Sequence, residues 1–248
     1  MQVRTRGWLV LAVVLMALAL PVTGRAQSLS DRDIVTAFDM AAFGPASRTG
    51  ASLYRWDGAV RFRVAGESPE RYRRWVEAQL AALSDLTGLD MRRVDTIDAD
   101  VVVVFVPSFR AVTDGAYNNL LDRYVSGAER RESLLAGYRQ AGAVCAGQVN
   151  ARGSALVGGI VFVPLDRMAP VVHACVAAQL TRVIGLPFAL ASDLPSVLAT
   201  DSPWSHLSEL DRMLVRMLYH PRMSGGLRRE DARIVAQSVL PEIKATSE

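Results

Sequence analysis

An α+β fold, with a mixed β-sheet packed against helices, is the class predicted by this 248-residue sequence. Three observations carry the prediction. Ala59-Val-Arg-Phe-Arg-Val-Ala65 alternates apolar and polar side chains with period two, the pattern of a half-buried strand. Tyr72, Trp75, Val76, Leu80, Leu83 and Leu86 then recur at helical spacing. Val101-Val-Val-Val-Phe-Val106 is apolar at every position, as a strand buried on both faces must be. A helix that crosses between two strands favours a mixed sheet, and the later helical segments pack on it.

The elements follow in order. Ser68-Pro69-Glu70 supplies an N-cap, a proline for the first turn and an acid that complements the helix dipole, and Gly88 stops the helix. Met91 to Val94 starts a second strand that turns at Asp98-Ala-Asp100, and Pro107 ends the apolar run. Residues 118–140 are helical in composition but charged and poorly periodic, which predicts an exposed, mobile excursion. Ala155 to Val163 is a further strand, with Gly158-Gly159 marking a bulge or a close backbone approach. A helix is expected over 170–185. Ser208-Glu-Leu-Asp211 resembles a capping box with Asp in place of Glu. Leu210, Met213, Leu214, Met217 and Leu218 form the apolar stripe that follows, and Pro221 stops it; the methionines read as core filler. Trp204 reads as a residue packing the start of this helix, with an exposed binding aromatic as the alternative.

The first residues have the form of a secretory signal. Arg4 and Arg6 precede the thirteen apolar residues Trp8 to Leu20, and Pro21, Gly24 and Ala26 lead to a cleavage site after Ala26. Thirteen is short of the roughly 20 needed to span a bilayer, and a retained anchor is the alternative to cleavage. No Cys is near the site, so a lipid-anchored form is not supported. Arg4, Arg6 and Arg25 account for the whole formal charge of +3 and leave 25 basic against 25 acidic residues. A formally neutral chain gives no ground for a nucleic-acid or anionic-lipid partner. The expected organisation is a signal over 1–26, an N-terminal segment over 27–54 and a single domain over 55–240. Residues 27–30 and the last few are expected to fray. Export to the periplasm or beyond follows, with no stable membrane insertion once the signal is removed.

Cys145 and Cys175 are the only cysteines. After an export signal an even count favours a disulfide, closing a loop of about thirty residues and stabilising the fold by roughly 3–4 kcal/mol. The competing reading is a reactive thiol served by His173, although positions i and i+2 point to different sides of a helix.

The segment His173-Ala-Cys-Val-Ala-Ala-Gln-Leu-Thr-Arg-Val-Ile-Gly-Leu186 has the spacing of a zinc-peptidase helix without its ligands. In His-Glu-x-x-His, residues i and i+4 share one helical face and one metal, and the Glu acts as base. In the longer form a Gly follows three residues after the second His. Counted back from Gly185, those positions here are Ala178, Gln179 and Arg182, which neither bind zinc nor activate a water. The three histidines, His173, His206 and His220, are too few and too scattered for a zinc site elsewhere. There is no nucleophile elbow around Ser196 or any other serine, and no phosphate loop at Gly158-Gly159 or Gly225-Gly226. No metal, cofactor or catalytic residue is therefore expected.

Four segments together have a familiar arrangement. They are Thr87-Gly-Leu-Asp90 followed by Asp98-Ala-Asp-Val-Val-Val-Val104; Cys175 ten residues before Gly185-Leu186; Ser196-Val-Leu198; and the run from Leu207 to Leu227. On these, residues 55–240 resemble the bacterial family known as domain of unknown function 2927, itself similar to metzincin-type zinc peptidases. The resemblance implies a zincin-like sheet and helices. It also implies Glu-Glu-x-x-Gln where the peptidases carry His-Glu-x-x-His. Here Ala178 and Gln179 stand at the two Glu positions, Arg182 at the Gln position, and Pro187-Phe-Ala-Leu190 replaces an acidic Asn-Asp pattern. A carboxylate-based activity suggested for the family does not carry over. Arg182 reads as a cation for a ligand carboxylate, or for an internal acid such as Asp193 or Asp211. The function expected is a non-catalytic, zincin-like scaffold binding an envelope protein or peptide through this relic cleft or the 118–140 excursion. A metal-independent hydrolase of peptide or cell-wall substrates is the alternative.

Overall fold

Six consecutive apolar side chains cannot all face one way in a strand, and the fold is arranged around that fact. The computed structural model describes residues 29–47, 50–67, 69–139 and 145–246. The central strand β3 (Val101–Val106) sends Val101, Val103 and Phe105 into one core and Val102, Val104 and Val106 into another. Around it lie β1 (Val60–Gly66), β2 (Met91–Arg93), β4 (Ala146–Arg152) and β5 (Ala155–Pro164), in the order β2-β1-β3-β5-β4. All neighbours are parallel except β4, which pairs antiparallel with β5 at the edge. The mixed sheet packed with helices is the α+β class expected. The irregularity expected near Gly158 falls beside it: Asn150 and Ala151 pair with Gly158 and Leu156, so Val157 is the extra residue.

The larger core lies under α1 (Asp31–Phe43), α2 (Glu70–Thr87), α6 (Ala169–Val183), α7 (Glu209–Tyr219) and α8 (Arg229–Ala245). The crossing helix α2 joins β1 to the parallel β2, and Gly88 ends it in a left-handed cap. Ser68, the expected N-cap, lies outside the described residues, as does the whole expected signal. The capping box at Ser208 and Asp211 is present, and α7 buries the stripe of Leu210, Met213, Leu214, Met217 and Leu218.

Two expectations are corrected. Residues 118–140 are not an exposed excursion: α4 (Asn118–Tyr124) and α5 (Ala128–Arg139), with the short α3 (Phe109–Thr113), cover the second face of the sheet. Leu121, Tyr124, Leu134, Leu135 and Tyr138 seal Val102, Val104, Ile160 and Phe162 there, because a strand apolar on both sides needs a cover on both. Ser30 is not frayed either. It caps α1 in a capping box with Asp33, and α1 buries Ile34, Phe38 and Phe43 in the main core.

α1 is tied to the last helix by charge as well as by packing. The Arg229 guanidinium holds Asp39 through contacts of 2.6, 2.9 and 3.1 Å and donates to the carbonyls of Gly44 and Pro45 at 2.8 and 3.0 Å. Both side chains are largely shielded from water, so the carboxylate cannot simply be rehydrated when its partner is lost. Arg229→Met is expected to lower stability by about 1.5–3 kcal/mol in urea unfolding, the range for charge-assisted hydrogen bonds; an unchanged midpoint would show that α1 is held by packing alone.

Candidate functional site

The helix α6 presents a stripe of small side chains with one cation at its end. Val171, Ala174, Ala178 and Arg182 recur at helical spacing and line a cleft of about 510 Å³. The opposite wall is Val197, Ala199, Asp201, Ser202 and Pro203. The disulfide of Cys145 and Cys175, with Cα atoms 5.7 Å apart, ties the start of β4 to α6 beside it. That bond settles the two readings of these cysteines: neither is a free thiol, and His173 serves none.

The second wall is held by one buried carboxylate. Asp211 accepts from the Ser196 hydroxyl at 2.5 Å, the Val197 N–H at 3.0 Å, and the Ser208 N–H and hydroxyl at 2.8 Å each. Burial raises its pKa from the ordinary value, and the hydrogen bonds work against that rise. The Ser196 hydroxyl in turn accepts from the Leu198 N–H at 2.9 Å, and the Ser196 carbonyl accepts from the Ser202 hydroxyl at 2.7 Å. Ser196 is thus fully buried and fully engaged, the position of a loop anchor and not of a nucleophile. Asp201 follows in the left-handed region at φ 55°, which Asp tolerates better than most side chains, and it is exposed.

Of the four positions marked by spacing, each has a distinct fate. Ala178 is a methyl on the cleft wall. Gln179 is buried and turned toward the sheet, where a Cβ on Gly147 would come within 2.9 Å of its Oε1. Arg182 is the one cation among the described residues that line the cleft. Its Nε is buried without a hydrogen-bond partner, and burial alone lowers the guanidinium below its usual pKa. The internal-acid reading of Arg182 is overturned: Asp211 is occupied by Ser196, Val197 and Ser208, and Asp193 is exposed and bound in no ion pair with it.

Gly185 sits beyond the helix at φ 122°, and a Cβ there would collide with the Tyr54 carbonyl oxygen. Its neighbours close the helix end. The Trp56 indole N–H donates to the Val183 carbonyl at 2.9 Å and the Tyr219 hydroxyl to the Ile184 carbonyl at 2.7 Å, satisfying acceptors that a helix C-terminus leaves open. A second cleft of about 520 Å³ lies past this end, lined by Tyr54, Gly185, Phe188, Val149 and Arg130 among others. The α6 cleft is the better candidate, because it holds a cation whose buried Nε has no hydrogen-bond partner.

One cluster has no counterpart in the sequence reading. Trp75 of α2 is stacked on His173 at 4.5 Å and meets His206 edge-on at 4.5 Å, and its indole N–H donates to the His173 carbonyl at 3.3 Å. Burial, followed by the charge of Arg71 and by His206, holds His173 below its ordinary pKa. Trp204, expected to pack at the start of α7, is instead 45% exposed. The indole beside His206 is that of the partly buried Trp75. Among the described residues no group of three or more His, Cys, Asp and Glu side chains could hold a metal.

The profile of a family described as "Protein of unknown function (DUF2927)" matches residues 31–238. The chain belongs to the DUF2927 family. The match begins at α1, so it takes in the helix that the four recognised segments left out. The DUF2927 region also spans both cleft walls, from α6 to the Ser196–Asp211 contact. No curated protein matches the chain.

Two outcomes follow for this DUF2927 chain. Gly185→Ala combines a strained backbone with a clash against Tyr54, and is expected to lower stability by about 2 kcal/mol or more in thermal or urea unfolding. Wild-type stability would mean that the α6 end can shift. His173, held below its ordinary value of 6.5, binds its proton more readily in the unfolded chain. Its contribution is therefore complete above that value and is lost as pH falls through it toward the folded value. The melting temperature should drop between about pH 7.5 and about pH 5.5, and less steeply in His173→Gln; equal drops in both proteins would place the effect elsewhere.

Proposed function

We propose that this DUF2927 protein is an exported, non-catalytic binding protein of the cell envelope, with a zincin-like arrangement whose α6 cleft takes a ligand in place of a metal. The observation that carries the reading is Arg182: a permanent, half-buried cation lining an open cleft, its Nε buried without a hydrogen-bond partner and the side chain in no ion pair among the described residues. The walls hold aliphatic groups, a disulfide, one exposed acid and an engaged serine, so no acid–base pair or activated nucleophile faces the space. Export is supported by the N-terminal pattern and by the disulfide, a bond that persists in oxidising compartments. The zincin-like reading is supported by the mixed sheet, by α6 and by its Gly185 ending. Among the described residues no helix is long and apolar enough to cross a membrane.

Cell fractionation should find a chain that begins at Gln27 in the periplasm or the medium. Purified from there, it should carry no stoichiometric zinc and should cleave neither peptides nor peptidoglycan. A photo-crosslinking residue at Ala174 should capture a ligand in cells, and Arg182→Met should abolish the capture. Chelator-sensitive cleavage, or capture indifferent to Arg182, would sink this reading.

A further inference from the structure

We propose that the α6 cleft recognises the C-terminal carboxylate of a peptide ending in a small apolar residue, with Arg182 as the group that reads the carboxylate. This rests on the reading of the cleft as a binding site and names what it binds. Charge sets the first requirement. A guanidinium stays protonated in proteins, so a buried Nε–H of Arg182 with no acceptor is a standing cost that an anionic ligand group offsets. A planar carboxylate fits its donor fork in two parallel hydrogen bonds.

The surroundings of Arg182 set the second requirement. Along α6 the next side chains are Ala178, Ala174 and Val171, faced by Val197 and Ala199, which offer a shallow aliphatic wall with no further cation among the described residues. Such a wall suits a methyl or isopropyl group attached next to the carboxylate. The volume of about 510 Å³ is that of a small-ligand site and exceeds a single small residue, so it suits the last two or three residues of a chain. Asp201, the one acid on the lining, is exposed and stands on the wall opposite α6. It opposes a second negative charge on the ligand and so disfavours dicarboxylates.

Calorimetric titration of the purified protein with the acetylated tripeptide Ala-Ala-Val tests this, using the free acid, the C-terminal amide and free valine. The acid should bind, with amidation and Arg182→Met each weakening it by about ten-fold or more, as expected when one partner of a desolvated charge pair is removed. Arg182→Lys should recover part of the loss, and Asp201→Asn should tighten the acid. Circular dichroism and melting of each variant separate lost binding from lost folding. The carboxylate proposal is overturned if the amide binds as tightly as the acid, if free valine binds as tightly as the tripeptide, or if no acid binds at millimolar concentration. In each of these cases Arg182-dependent capture at Ala174 in cells would still uphold the cleft as a binding site, and its absence would remove both.

Discussion

The constraint on which the rest of the fold depends is the two-sided burial of β3. A strand of Val101 to Val106 has no face for water, so the chain must supply a cover for each side of the sheet. It does so unequally. Five helices close one side, and the compact group α3, α4 and α5 closes the other. The heavier side contains α6, and the cleft exists because α6 meets the loop before α7 on this side with only small side chains between them. Alanines on a helix let a neighbouring segment approach, but where that segment is held off at a fixed distance they leave a gap.

Asp211 is what holds that segment off. Its carboxylate receives two hydrogen bonds from the capping residue Ser208 and two from Ser196 and Val197, so one side chain ends a helix and anchors a cleft wall. A capping box alone needs only the bond from the Ser208 N–H to this carboxylate and the return bond from the Asp211 N–H to the Ser208 hydroxyl. The pair from Ser196 and Val197 explains why Ser196-Val-Leu198 and Leu207 to Asp211, which are separate in sequence, form one unit in space. It also takes the Ser196 hydroxyl and the Asp211 carboxylate out of the cleft, since both are fully buried.

Much of this was legible in the sequence, and what was missed has physical reasons. Strands with strict alternation or uniform apolarity, and helices with a continuous stripe, declare themselves through side-chain period, as β1, β3, α2 and α7 did. Both cysteines and the capping box were legible for the same local reason. The α4–α5 cover was read as an excursion because its buried residues are sparse: Leu121 and Tyr124 on one helix, Leu134, Leu135 and Tyr138 on the next, among many charges. Its burial is dictated by the bare face of β3 and not by its own pattern. The helix α1 lay hidden in a segment read as an N-terminal extension, although Ser30 and Asp33 spell out its cap. In the site, the positions of Ala178, Arg182 and Gly185 follow from helical spacing, but Trp75, His173 and His206 come from three distant parts of the chain, and no local rule joins them.

The state of Arg182 carries the functional argument further than the missing ligands of the helix do. Absent histidines say only what the cleft does not do. A guanidinium whose Nε is buried and unpartnered makes a positive statement, because the alternatives open to it are few. It does not shed its proton, as a buried lysine can. It forms no ion pair with an acid among the described residues: Asp211 is saturated by its own loop, and Asp193 is exposed. An aliphatic side chain of similar length would fill the same wall without the desolvation cost, so packing alone does not call for a charge at this position. The proposed answer to that charge is an anion from outside, a ligand carboxylate entering through the cleft. Because that anion must also shed water, the net affinity gained is modest and the selectivity large, which suits a module that discriminates chain ends more than one that captures them irreversibly.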